Sequence, residues 1–173
     1  MDDNAPGSSS CDVRLRQGTE DDLACFFDQQ QDADANRMAA FISRDPSDRE
    51  MFITHWKSLL RDKSVTARTI LCDERVAGNV VSFTWSLETE VGYWLGREYW
   101  GRGVATRALA SFLEDVTLRP LHARAARDNI ASIRVLQKCG FAIVGEDKEY
   151  SNARGEEVEQ VVLRLAGREV HGA

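Results

Sequence analysis

Residues 91–106 read Val-Gly-Tyr-Trp-Leu-Gly-Arg-Glu-Tyr-Trp-Gly-Arg-Gly-Val-Ala-Thr, and no other run constrains the chain as much. A strand-like stretch feeds a loop with Gly101 and Gly103, and the loop opens straight into a helical pattern. Ala105, Ala108, Leu109, Phe112, Leu113 and Val116 keep the spacing of one helical face. Such a face has to be buried against a sheet or another helix. The start of the helix presents unpaired N–H groups and a partial positive charge, which suits a phosphate. Glycines let the backbone approach an anion closely, and the Arg102 guanidinium can add a charged contact. A plain structural reading stands beside this one, in which the glycines only supply special dihedrals. Two common phosphate loops do not fit. GxxxxGK[ST] is absent, and Thr106 stands where GxGxxG needs its third glycine.

The rest of the chain alternates between strand and helix periods. Val13 to Arg16 alternates like a strand, and Thr19 with Asp22 forms a capping pattern for a helix through Leu23, Phe26 and Phe27. Residues 32–46 are polar and irregular apart from a short apolar piece, Met38 to Ile42. Ser47 with Glu50 repeats the capping pattern ahead of Phe52, Trp56, Leu59 and Leu60. Three strand-like runs follow, Thr66–Cys72, Val76–Trp85 and Glu90–Leu95, with breaks at 73–75 and around Glu88-Thr89 short enough for hairpins. After the amphipathic helix come a short strand (Leu121–Ala125), a helix (Ile130–Cys139) with Gly140 behind it, and strands at Phe141–Val144 and Val158–Leu165 joined by a long polar loop. Antiparallel strands first and crossover helices later predict a mixed α/β sheet. The 173 residues fit one domain, expected over 12–166, with flexible ends at 1–11 and 167–173.

Twenty-two Lys and Arg against 28 Asp and Glu leave a net charge of −6. That balance excludes a nucleic-acid coat and a polybasic membrane anchor as the purpose of the whole surface. No apolar stretch approaches the ~20 residues of a membrane span, and the polar N-terminus lacks the apolar core of a secretory signal. Cys11, Cys25, Cys72 and Cys139 are scattered without metal-ligand spacing, so reduced thiols in the cytoplasm and no metal site are expected.

Trp100-Gly101-Arg102-Gly103-Val104-Ala105 resembles the [Gln/Arg]-x-x-Gly-x-[Gly/Ala] pyrophosphate loop of the GNAT N-acetyltransferases. Some thirty residues on, Asn129-Ile130-Ala131-Ser132-Ile133-Arg134-Val135-Leu136-Gln137-Lys138-Cys139-Gly140-Phe141 resembles that family's second block, Asn-x-x-Ser…Gly-Phe. Both are most similar to the branch that acetylates N-termini of ribosomal proteins. The resemblance covers roughly residues 12–166 and implies a six- to seven-stranded, mostly antiparallel sheet flanked by about four helices.

The resemblance also implies acetyl-CoA as cosubstrate, with no metal. The strand Val91–Leu95 would offer free backbone groups to the pantetheine arm, and amides of Arg102 to Thr106 would hold the pyrophosphate. Cofactor contacts are thus expected from Trp94, Leu95, Gly96, Trp100, Gly101, Arg102, Gly103, Val104, Ala105, Thr106, Asn129, Ser132 and Arg134. The implied reaction is acetyl transfer to a primary amine, of a small molecule or a protein N-terminus, by direct attack in a ternary complex. A non-catalytic acyl-CoA-binding module is the alternative. Nucleic acid and membrane are not expected partners, while homodimers are common for such folds.

Two positions depart from the family pattern. Trp100 replaces the first Gln or Arg of the loop, and Leu136 replaces a Tyr that protonates the departing thiolate. Leaving-group protonation would then fall to solvent, or to the amine's own proton relayed through water. Glu88 or Glu90 could act as general base, against the plainer reading of a solvated hairpin turn, and Ser132 completes the catalytic candidates.

Other residues have plain structural readings. Asn129 suits the N-cap of its helix with Ser132 at N3, a role compatible with cofactor contact. Tyr93, Trp94, Tyr99 and Trp100 read as packing around the loop, Cys139 as a small apolar residue, and His55 and His122 as packing histidines. The charged stretch 32–49 reads as a solvated loop, which in the resembled architecture would wall the acceptor side.

Overall fold

The computed structural model describes residues 10–167, so most of both expected flexible ends lies outside the described residues. Strand β1 (Val13–Gln17) leads through a short 3-10 turn into α1 (Leu23–Gln29), α2 (Ala33–Ala39) and α3 (Arg49–Arg61). A meander follows: β2 (Thr66–Cys72), β3 (Arg75–Trp85) and β4 (Glu88–Leu95). Then come α4 (Val104–Asp115), β5 (Leu121–Ala126), α5 (Ile130–Lys138), β6 (Ala142–Ser151) and β7 (Glu156–Leu165). The seven strands form one sheet in the order β1-β2-β3-β4-β5-β7-β6, antiparallel except between β4 and β5. The expected mixed, mostly antiparallel sheet is therefore present, with five α-helices among the described residues where about four were expected.

Alternation along the strands sends apolar side chains to both faces. On one face Ile70, Val80, Val91, Leu121, Ala123, Val161 and Leu163 pack with Val104, Ala108, Leu109 and Phe112 of α4 and with Ile133 and Leu136 of α5. Burying each large aliphatic or aromatic side chain there contributes roughly 1.5–3 kcal/mol. On the other face Ala67 and Val81 meet Leu23 and Phe26 of α1 and Trp56 of α3. Ala40 and Phe41, just past α2, cover Ala126 and Val158.

Several local expectations shift. Helix α2 lies inside the supposedly irregular 32–46, opened by the Asp32 carboxylate, which accepts from the Ala35 N–H at 2.9 Å. The cap of α3 is Asp48 rather than Ser47: its carboxylate accepts from the Met51 N–H, while the Ser47 hydroxyl donates to Asp45. Strand β6 continues to Ser151, so a tight turn replaces the long polar loop. It is a nearly fully exposed edge strand and carries no apolar alternation to announce it. The β3–β4 turn sits at Ser86-Leu87, both at positive φ as two-residue hairpin turns require, so Glu88 and Glu90 lie within β4 and not in a turn.

The thiol expectation needs correction as well. Cys11 and Cys72 form a disulfide, leaving Cys25 and Cys139 free. The antiparallel register places Val13 opposite Cys72, which brings Cys11, just ahead of β1, to the end of β2. Cys11 is thereby buried inside the domain and does not belong to a loose tail. Asp73 lies close to the two sulfurs, but these are spent on each other and not available as thiolate ligands. Among the described residues, no helix is long and apolar enough to cross a membrane.

Candidate active site

Strand β4 is paired with β3 along its whole length but meets β5 at a single position, Glu90 opposite His122. Beyond that point the two parallel strands share no further pair, so the β5-facing edge of β4 is open from Val91 towards Leu95. Part of its far end is already used. The Leu95 carbonyl accepts from the Trp100 indole at 2.9 Å. The Trp94 indole turns to the α1 side and donates to the Gln29 carbonyl.

The loop after β4 delivers the chain to α4. Gly101 and Gly103 have φ of +70° and +71°, a region that L side chains avoid, and both are exposed. Helix α4 starts at Val104, and its first bond through the helix start is Arg107 N–H to the Gly103 carbonyl. The amides of Val104, Ala105 and Thr106 are therefore the unpaired donors of a helix N-terminus. Val104 is buried in the core, so its backbone is all it can offer a ligand. Arg102 is exposed.

Trp100 has a structural task. Besides bonding Leu95, it carries the Arg97 guanidinium over its ring at 5.3 Å. Arg97 in turn clamps Asp32, the cap of α2, through Nη2 at 2.6 Å, and reaches Asp34 at 3.0 Å. The guanidinium is the main reason the Asp32 carboxyl is held down at about 2. The glycine loop and α2 are thus tied to one another.

Helix α5 faces the opening from the other side. The Asn129 side-chain Oδ1 accepts from the Ser132 N–H at 3.2 Å, the expected cap, and its side-chain amide Nδ2 also donates to the Met38 carbonyl. The Ser132 hydroxyl accepts from the Tyr93 phenol at 3.2 Å. Burial pushes that phenol up, so it stays a donor at neutral pH. Leu136 is 2% exposed and belongs to the core. Cys139 packs at the helix end with its thiol donating to the Thr106 carbonyl, and burial pushes the thiol up, which leaves it a poor nucleophile. Arg134 is exposed on the same helix.

On the opposite face of the sheet, Glu90 accepts from Arg124 at 3.0 Å, and Arg124 also lies 3.8 Å from Asp147. His122 faces Glu88 at 4.0 Å. His55 lies on α3, apart from this cluster.

Two arginines that sequence reasoning passed over organise the surroundings. Arg107 donates to the carbonyls of Gly103, Arg102 and Cys11, bracing the glycine loop against the segment ahead of β1. Arg154, in the β6–β7 turn, pairs bidentately with Asp128 and donates to the Arg37 carbonyl at 2.8 Å. With Ser151 donating to the Ala40 carbonyl at 2.6 Å, it fastens the end of α2 over the hairpin. The Arg107–Cys11, Ser151–Ala40 and Arg154–Arg37 partners are separated by 96 or more residues in sequence, beyond any local pattern.

Known proteins resemble this chain. The N-acetyltransferase p20 of Bacillus licheniformis is 30% identical over 87 residues, 48% of this chain and 49% of that protein, so the match spans about half of the curated relative. Mycobacterium smegmatis RimJ, in complex with CoA-disulfide, superposes with a TM-score of 0.73 at 23% identity, covering 93% of this chain and 85% of RimJ. A ribosomal-protein-alanine N-acetyltransferase from Brucella melitensis gives 0.76 at 20% identity, over 88% and 99% of the two chains. Those structural likenesses speak to the fold. The sequence profile of the acetyltransferase (GNAT) domain matches residues 12–142, most of the chain, and agrees with the motifs at 100–105 and 129–141. The chain belongs to the GNAT acetyltransferase family.

Proposed function

We propose that this protein transfers the acetyl group of acetyl-CoA to a primary amine, of a small molecule or a protein N-terminus, by direct attack in a ternary complex. The observation that carries the reading is the opening between β4 and β5 beside the free amides of α4. A diphosphate seeks donors in positive potential, and an amide-bearing arm seeks an unpaired strand edge; the two lie end to end here. Amides of Gly103 to Thr106, with the Arg102 side chain, hold the pyrophosphate. The β4 edge near Val91 to Tyr93 takes the pantetheine arm, and its N–H groups polarise the thioester carbonyl. Asn129 and Arg134 close over the arm from α5. Holding both reactants in line supplies much of the rate.

Protonation of the leaving thiolate falls to Ser132. Because the Tyr93 phenol donates to the serine oxygen, the serine's own proton is free to be given away. Ser132→Ala is expected to lower kcat roughly ten- to hundredfold with little change in acetyl-CoA affinity. Steady-state kinetics beside a binding titration checks this.

The acceptor side carries Glu88, Glu90 and Asp147 against Arg124, which favours a cationic acceptor. The name of one structural relative, a ribosomal-protein-alanine N-acetyltransferase, favours a protein amine among such acceptors. Acetyl-CoA at a hundredfold excess over its Kd is expected to stabilise the fold by about 2.7 kcal/mol. For a chain of this size that raises Tm by roughly 5–10 °C. A melting curve indifferent to millimolar CoA and acetyl-CoA would remove the cosubstrate, and an amine and peptide screen read as a mass gain of one acetyl group identifies the acceptor.

A further inference from the structure

We propose that His122 is the catalytic base that takes the proton from the acceptor's ammonium group; the inference rests on the acetyl-transfer reading above. The residue stands at the one register pair between β4 and β5, the point from which the strands diverge. Its neighbours Leu121 and Ala123 are buried under α4 and α5, so the imidazole projects to the opposite face with Glu90 and Arg124.

A histidine held for packing has its ring nitrogens satisfied. Here Nδ1 is buried without a partner, and Nε2 makes no hydrogen bond among the described residues. The Nε2 to Glu88 Oε1 distance of 4.0 Å is too long for a hydrogen bond. An amine nitrogen seated between the two atoms would reach both at about 2.8–3.0 Å. Glu90, the other carboxylate at this point, is already engaged by Arg124. The charged groups around the ring are Glu88 and Glu90 from β4, Arg124 on its own strand and Arg164 directly opposite on β7. Asp147 on β6 reaches the cluster through Arg124.

In the proposed step the ammonium N–H gives its proton to Nε2, leaving a neutral amine, and Glu88 faces the resulting imidazolium as counter-charge. The amine lone pair attacks the thioester carbonyl carbon; a C–N bond forms, the C–S bond breaks, and the electron pair leaves on sulfur. Ser132 gives its hydroxyl proton to the thiolate and is reprotonated by the second proton of the attacking nitrogen, giving amide and free CoA. His122 then returns its proton to solvent.

The test follows loss of the acetyl-CoA thioester as free thiol from about pH 5 to about pH 9, the range in which histidine chemistry is read. Spermidine, methylamine and peptides beginning with Ala or Ser serve as acceptors, and water alone as a further one. For His122→Gln the expected result is a kcat lower by roughly a hundredfold or more. Acetyl-CoA affinity is unchanged, and the acid limb of the wild-type pH profile is lost. Glu88→Gln lowers kcat by a smaller factor and raises the acceptor KM, since it removes a charge that faces the ammonium group. Ring nitrogen shifts of His122 in the wild-type protein, followed by NMR, must track that acid limb, a readout that does not depend on any variant folding. A variant with wild-type rate and profile, or a ring that titrates apart from the limb, overturns this proposal alone. A wild-type protein that binds acetyl-CoA and consumes none with any acceptor overturns the transferase reading and this one together.

Discussion

Replacing Gly103 with valine is expected to weaken CoA binding by roughly a hundredfold or more while costing the fold only about 1–2 kcal/mol. Gly103 sits at φ +71° immediately before α4. An added Cβ would meet nothing nearer than the Arg107 guanidinium at 4.0 Å, so the folded chain has room for it and pays only for the left-handed backbone. A phosphate bound as proposed would have no such room, because the new branched side chain stands beside the amides of Val104, Ala105 and Thr106 that would face the anion. Losing two hydrogen bonds to a charged group, each worth about 1.5–3 kcal/mol, accounts for a hundredfold or more. The fold cost lowers Tm by roughly 2–8 °C. Calorimetric titration with CoA and a melting curve on the same sample separate the two effects. Unchanged affinity in a folded variant would make the turn structural only.

What could be read from the sequence was local. The Thr19–Asp22 box, the Asn129 cap, Gly140 behind α5 and the apolar stripe of α4 each depend on residues within a turn or two, and all are present. The glycine loop was legible for the same reason, since backbone conformation at Gly101 and Gly103 is set by the missing side chains. Features that need the folded sheet stayed hidden. The Cys11–Cys72 bond spans 61 residues and exists because β1 and β2 pair in one particular register. Trp100 could not be read as a clasp on Leu95 until the loop folded back by five residues. His122 looked like a packing residue because a strand pattern says which face a side chain takes, not whether its nitrogens find partners. Its situation follows from where β4 and β5 part, and that depends on the helix inserted between them.

Asp22→Ala is expected to cost roughly 3–5 kcal/mol at neutral pH, the most damaging single charge removal in this fold. The carboxylate is 4% exposed and accepts from Arg16 at 2.6 and 2.7 Å, from the Thr69 hydroxyl at 2.7 Å and from the Thr19 N–H at 3.0 Å. It joins β1, β2 and the turn that launches α1. Arg16 is 41% exposed and can recover some hydration when its partner goes, which places the cost near the lower end. About 3 kcal/mol lowers Tm by roughly 6–12 °C. Burial alone would push the Asp22 carboxyl up; the bonds from Arg16, Thr69 and Thr19 outweigh it and hold the group at about 2. The folded value is therefore below the unfolded value of about 3.9, so the folded state binds fewer protons between them. The stabilisation is complete above the unfolded value and drains away as pH falls from about 5 towards 2. Urea melts of wild type and Asp22→Ala should show a gap that is constant near neutrality and narrows across that acid window. A gap that stayed full at about pH 2 would mean that the lost packing, not the ion pair, sets the cost.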